Sequence, residues 1–256
     1  MEHWIADREA PIIYEASLDS SNLYLKTLAE RGAAQGTVVI AGQQSAGRGR
    51  LGRSFLSPKG GLYLSILFRP TCSLEQASSL SAMAAVAVCR AVKELTGLEP
   101  QIKWPNDVVL NGKKLCGILA ESAQEGPGRL RIILGIGVNI SIRQEEFPPE
   151  LRETACSLFT ETGTAVEKRL LAQALIRELD SLYAAWLADS RAFLEPYRAL
   201  CVNCGREVLI LRRDGDRPAR ALTVNEDYSL RVAYSDGTEE DIRFGEVSVR
   251  GMLGYV

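Results

Sequence analysis

The sequence predicts an α+β protein: a mixed, largely antiparallel sheet packed with helices, followed by a small C-terminal β-barrel. Three observations carry this. Leucines and alanines recur at helical spacing in two long segments. From Gln101 to Ile140 the period becomes strand-like, with turn dipeptides between the runs. After Cys204-Gly205, short strands are cut by Asp214-Gly215, Asn225-Glu226-Asp227 and Asp236-Gly237, all within about 50 residues, as in a small barrel. A boundary near Asn203 therefore divides the chain into a larger domain over 1–203 and a smaller one over 204–256.

Ile12-Ile13-Tyr14 reads as a first strand, and Asp19-Ser20-Ser21-Asn22 offers a cluster of N-cap residues for a short helix through Leu23, Leu25 and Leu28, stopped at Gly32. Thr37–Ala41 and Leu62–Phe68 are strands, separated by a long Gly-, Ser- and Arg-rich loop over Gly42–Gly61. Loops of that length in compact domains are usually functional. Ser73 and Gln76 form a capping box for an Ala-rich helix that runs to Gly97. Between Gln101 and Ile140, Asn111-Gly112 predicts a type I′ hairpin and Glu125-Gly-Pro-Gly-Arg129 a second turn, giving three or four antiparallel strands. Thr164 and Glu167 predict a further capping box, opening a helix whose Leu170, Leu171, Leu175, Leu179 and Leu182 form a core stripe.

Composition excludes several classes. Apolar residues make up 46% and charged residues 24%, the proportions of a folded globular chain. No uncharged apolar stretch reaches the ~18 to 20 residues of a membrane span, and the first residues lack a basic start and an apolar core, so a cytoplasmic location is expected. Thirty cations against 32 anions argue against a broad nucleic-acid footprint, yet between Arg31 and Leu74 there is no Asp or Glu and six cations stand alone. A localised anion site is implied there. Six scattered cysteines read as buried small groups. The pair Cys201-x-x-Cys204 has no second pair or nearby His to complete a zinc site, so no metal site is expected. The one histidine, His3, sits at the N-terminus, so chemistry must lean on Lys, Arg, Asp, Asn and backbone amides.

Three motifs stand out. Gly47-Arg48-Gly49-Arg50-Leu51-Gly52-Arg53 satisfies G-x-G-x-x-G, but no strand directly precedes it, no helix follows, and the companion motifs of kinases and a Walker sequence are missing. What remains is a loop whose glycines let backbone amides approach an anion while arginines flank it, or else a solvated basic turn. Lys103-Trp104-Pro105-Asn106-Asp107 ends a strand at a proline and is followed by Lys113-Lys114. Lys103, Asn106 and Asp107 there either crowd the rim of a cleft or serve as turn formers and solvated charge. Gly135-Ile136-Gly137-Val138-Asn139 is a glycine-interrupted strand, open to close approach by a ligand or another backbone.

In this order and spacing, the three motifs resemble those of the biotin protein ligase family, from Tyr14 to about Asn203 and, more weakly, through the barrel ending Gly245-Glu-Val-Ser-Val-Arg250. The resemblance implies a class II synthetase-like catalytic domain with an SH3-like barrel. It further implies an enzyme that activates biotin with ATP as biotinoyl-5'-AMP and transfers it to a lysine of a biotin carboxyl carrier domain, of acetyl-CoA carboxylase or another carboxylase. Ser20, Ser21, Asn22, Gln44, Arg48, Gly49, Arg50, Lys114, Gly117 and Gly137 would then hold biotin. Arg50, Arg53, Phe55, Lys103, Asn106 and Asn139 would hold ATP, with Lys103, Arg48 and Asp107 catalytic. Phe55 stands where the family more often has Trp. About 13 residues before the first strand are too few for the winged-helix DNA reader of bifunctional members, so a ligase without repressor function is expected. Mg²⁺ would shield the pyrophosphate. The protein would be a monomer or homodimer without nucleic-acid or membrane partners. Lipoate or octanoyl transfer on the same fold is the rival enzyme reading, opposed by the Gly-Arg loop, and a nucleic-acid-binding module is the non-enzymatic one.

Overall fold

The computed structural model describes residues 5, 8–212, 215–243, 248–251 and 255–256. His3, Asp214 and Gly245 to Val247, used in the sequence reading, lie outside them. Seven strands form the main sheet: β1 (Ile12–Glu15), β2 (Val38–Ala41), β3 (Gly61–Phe68), β4 (Gln101–Lys103), β5 (Asp107–Leu110), β6 (Lys113–Gln124) and β7 (Leu130–Asn139). Their order is β1-β2-β3-β7-β6-β5-β4, parallel only between β1 and β2. A second, five-stranded antiparallel sheet follows, from β8 (Glu207–Leu211), β9 (Arg217–Val224), β10 (Leu230–Ala233), β11 (Glu239–Ile242) and β12 (Ser248–Gly251), ordered β11-β10-β9-β8-β12. Among the described residues β11 and β12 are its two edges.

Among the described residues the helices are α1 (Ser21–Glu30), α2 (Leu74–Ser78), α3 (Leu80–Thr96), α4 (Leu158–Thr162), α5 (Lys168–Ala188) and α6 (Leu194–Leu200), of which α1, α3, α5 and α6 pack on the main sheet. α3 is buried over most of its length because alanines at successive turns let it lie close to the sheet and to α5. Turn chemistry behaves as the sequence predicts. Asn111 and Gly112 both take positive φ, 49° and 77°, as a type I′ turn requires, and Gly97 ends α3 in the left-handed region at φ 70°.

Several expectations need correction. Ser73 and Gln76 do form a capping box, but it opens only the short α2, and the chain turns at Ser79 before α3 begins. No box forms at Thr164 and Glu167. The Thr162 hydroxyl accepts from the Thr164 amide instead, and α5 starts at Glu167 without a side-chain cap, while Ser157 and Thr160 build the real box at α4. Leu170 is 47% exposed and lies off the core stripe, whereas Leu171, Leu175, Leu179 and Leu182 are buried. At α1 the N-cap is Ser20, without a side-chain bond to the helix.

The two sheets are not separately cored. Val208, Ile210, Ala221 and Leu230 of the second sheet share one apolar cluster with α3, β4 and β5. Trp104 is the hinge pin: its backbone amide donates to Asn203 Oδ1 at 2.7 Å and its indole Nε1 to the Tyr228 carbonyl at 2.9 Å. All six cysteines are free thiols. Within Cys201-x-x-Cys204 a hydrogen bond from Cys201 pushes the Cys204 thiol down to about 7 against the opposing effect of burial.

Candidate active site

The main sheet is open at one end, where the Gly42–Gly60 loop crosses it. Pairing of Leu18 with Gln44 and of Arg48 with Ser54, and a 3₁₀ turn over Arg50–Gly52, give the loop its shape. Beneath it lies a cavity of about 600 Å³, and every ligand-contact residue named above lines it.

The α1 side of the cavity is a relay of short polar groups. Gln44 Oε1 accepts from the Ser21 amide (2.8 Å) and the Ser21 hydroxyl (3.0 Å), while its Nε2 donates to Ser57 Oγ at 2.9 Å. Ser65 Oγ lies 2.6 Å from Asn22 Oδ1 and 2.8 Å from Ser21 Oγ. Asn22 Nδ2 donates to Glu121 Oε2 at 2.8 Å. Ser21 and Asn22, the first two residues of α1, thus spend their side chains along the cavity wall. Buried polar groups must be satisfied, and here they satisfy one another in a fixed array that a polar ligand ring can join.

Glycines shape the floor. Gly117 and Gly137 are direct partners in the β6–β7 ladder. A Cβ at Gly117 would stand 2.8 Å from the Phe55 ring and one at Gly137 2.4 Å from it. The missing side chains that the sequence associates with ligand approach thus seat Phe55 from the loop, which also meets Tyr63 edge-on at 6.5 Å. Gly135 is denied a side chain by Asn22, 2.3 Å away.

The opposite rim is charged. Five cations, Arg48, Arg50, Arg53, Lys103 and Lys114, line the cavity against the two carboxylates Asp107 and Glu150. Lys103 and Asp107 are register partners across the β4–β5 hairpin, and Lys114 Nζ sits 2.7 Å from Asp107 Oδ1. Burial pushes the Asp107 carboxyl up, but Lys114, the Tyr255 hydroxyl and Lys103 together outweigh it, so the group stays ionised below the ordinary carboxylate range. Arg48 reaches β6, 3.0 Å from Glu121. Arg50 Nη1 donates to Asn106 Oδ1 at 2.9 Å, while its Nη2 is buried with no hydrogen-bond partner among the described residues. An unpaired buried guanidinium nitrogen is costly, and an incoming oxyanion would relieve it. Asn139 Nδ2 donates to the Cys156 carbonyl at 2.9 Å, which fixes the amide and leaves its oxygen and second N–H for a ligand.

Sequence reasoning missed Ser65, Glu121, Val249 and Tyr255 at this site. Ser65 had a signal, being the one small polar residue inside the otherwise apolar and aromatic run Leu62–Phe68. The other three had none, since Glu121 lies on an ordinary strand and Val249 and Tyr255 arrive from the second sheet.

A cationic cavity with a polar array at one end, on a seven-stranded sheet crossed by a Gly-Arg loop, defines an acid-activating ligase or transferase fold. Residues 14–139 match the biotin/lipoate A/B protein ligase family. The chain is 38% identical over 196 residues to the biotin--[acetyl-CoA-carboxylase] ligase of Paracoccus denitrificans, covering 71% of this chain and 81% of that one. It is 30% identical over 240 residues to the bifunctional ligase/repressor BirA of Bacillus subtilis, covering 91% and 74%. The biotin protein ligase of Aquifex aeolicus, solved in complex with biotin and ATP, superposes with a TM-score of 0.84 at 28% identity, over 95% of this chain and all of that one. The chain belongs to the biotin protein ligase family and is an enzyme of that class.

Proposed function

We propose that this enzyme carries out ATP-dependent biotin ligation in one cavity, with the polar array of Ser20, Ser21, Asn22 and Gln44 holding the biotin ring and the cationic rim holding the nucleotide. The observation that carries the reading is the buried, unpartnered Nη2 of Arg50 facing a cavity with five cations. In the first step a biotin carboxylate oxygen attacks the α-phosphorus, a C–O–P bond forms, and pyrophosphate leaves. Two anions must meet, so cations have to stand at both. Lys103 would bridge carboxylate and α-phosphate, with Arg48 and Arg50 on the phosphate oxygens and Lys114 beside them. Arg53, Phe55, Asn106 and Asn139 line the nucleotide side. Mg²⁺ would accompany the triphosphate and offset the charge of the leaving pyrophosphate.

The mixed anhydride is destroyed by water, which gives the arginine loop its second task of covering the intermediate. In the second step the neutral amine of a carrier lysine attacks the acyl carbon, AMP departs, and the amine loses a proton, which the ionised Asp107 would receive or direct. The acceptor is a biotin carboxyl carrier domain of a biotin-dependent carboxylase. The cytoplasm, where ATP is available, is the compartment. Residues 1–203 supply the chemistry and 204–256 a wall of the site. The test supplies the full chain with biotin, Mg-ATP and a carrier domain. Pyrophosphate should be released without carrier, and the carrier should gain one biotinoyl group. Faster transfer of lipoate or octanoate than of biotin would overturn the reading.

A further inference from the structure

The residue that completes the charged rim comes from outside the main sheet. Val256 lies against β12 and the β5–β6 turn: a Cβ at Gly251 would meet its backbone at 2.1 Å, and one at Gly112 would lie 3.5 Å from its side chain. Tyr255 lines the cavity together with Val249. The Lys103 Nζ lies over the Tyr255 ring, 3.4 Å from its centroid, and the Tyr255 hydroxyl donates to Asp107 Oδ2. One planar side chain therefore touches both members of the Lys103–Asp107 register pair.

We propose that Tyr255 is a positioning residue for adenylate formation, its ring face holding the Lys103 ammonium aimed into the cavity. The inference rests on the assignment of Lys103 to the adenylation step. Its physical basis is the kind of contact. A carboxylate would fix a lysine at the cost of neutralising it, whereas an aromatic face fixes the ammonium through the ring quadrupole and leaves a full positive charge. A flexible four-carbon stem is thereby held in place for two incoming anions. The hydroxyl bond to Asp107 sets the rotation of the ring. The small sheet in this way supplies more than a wall.

The experiment measures biotin-dependent exchange of pyrophosphate into ATP by the full chain. Tyr255→Leu should lower the rate about tenfold, with little change in the KM for biotin, and Tyr255→Phe should keep it within about threefold because the ring remains. Phenylalanine at 255 fluorinated stepwise keeps the shape while draining the ring face, so the rate should fall with each fluorine even where Leu disturbs folding. In a Lys103→Ala background Tyr255→Leu should cost no more than about twofold, since it acts through Lys103. A flat fluorination series, or an equal loss in both backgrounds, overturns the proposal alone. A Lys103→Ala enzyme as fast as the parent removes the assignment of Lys103 and the proposal with it.

Discussion

Gly117 and Gly137 stand opposite each other in the β6–β7 ladder, and the space above both is taken by the Phe55 ring. Neither can gain a methyl group while the ring stays. Gly137→Ala, with the closer approach of 2.4 Å, should force Phe55 off the floor, cost about 1 to 3 kcal/mol of stability as an overpacked site, and raise the KM for both small substrates. Denaturant unfolding and steady-state kinetics check this. A partial return of KM in Gly137→Ala/Phe55→Leu would identify the ring as the mediator.

Lys103→Ala should lower adenylate formation on the order of 10²- to 10³-fold, the scale for removing one preorganised charge. The side chain points to the cavity and not into the apolar cluster, so the fold should persist. Pyrophosphate release at the parent rate would remove Lys103 from the first step.

Arg50→Gly separates binding from covering. It deletes the contact to Asn106 and the nitrogen that awaits an oxyanion, and adds backbone freedom to the loop. The adenylate should escape before the carrier arrives and acylate unrelated lysines. Biotin incorporation into serum albumin, relative to the carrier at equal adenylate formed, should rise. If both fall together, Arg50 serves catalysis only.

Acid behaviour follows from Asp107, which faces Lys114 and Cys116 of β6, Lys103 of β4, Tyr255 and Arg50. Its folded-state pKa lies below the unfolded value, so the stability it contributes is present above the unfolded pKa and lost as pH falls through the folded one. Lys114→Met reverses the sign, because burial then dominates and raises the carboxyl. That variant should be destabilised by on the order of 2 to 3 kcal/mol at pH 7 and by less at pH 4, a buried pair having lost its partner. Urea titrations at the two pH values measure the difference.

Cys204, with its thiol near 7, should react with iodoacetamide at neutral pH well ahead of the buried Cys89 and Cys156, whose thiols burial pushes up to about 12. Cys201→Ala should remove the hydrogen bond that holds Cys204 down and slow its alkylation, as peptide mapping would show.

Much of this architecture was legible in local sequence. Asn111-Gly112, Gly97 and the Ser73–Gln76 pair mark ends and turns because their conformations are dictated within three or four residues. The loop glycines and arginines, and the strand break at Pro105, likewise announced a site. What sequence could not give was set by distant packing. The polar cluster at Ser20–Asn22 looks like a helix cap until Gln44 and Ser65 engage the Ser21 hydroxyl and the Asn22 amide oxygen. Thr164 and Glu167 fit a cap pattern that Thr162 pre-empts. Glu121 became part of the site only because Arg48 lies across from it.

The anchoring of Trp104 between Asn203 and Tyr228 bears on how the molecule may be cut. A split reporter or circular permutant opened at residue 203 would unseat the strand that carries Lys103, and the halves would meet through exposed indole and apolar surface. The tip of the β10–β11 hairpin at Asp236-Gly237 is exposed and remote from that seam, and it is where new termini or an inserted sensor should be tolerated.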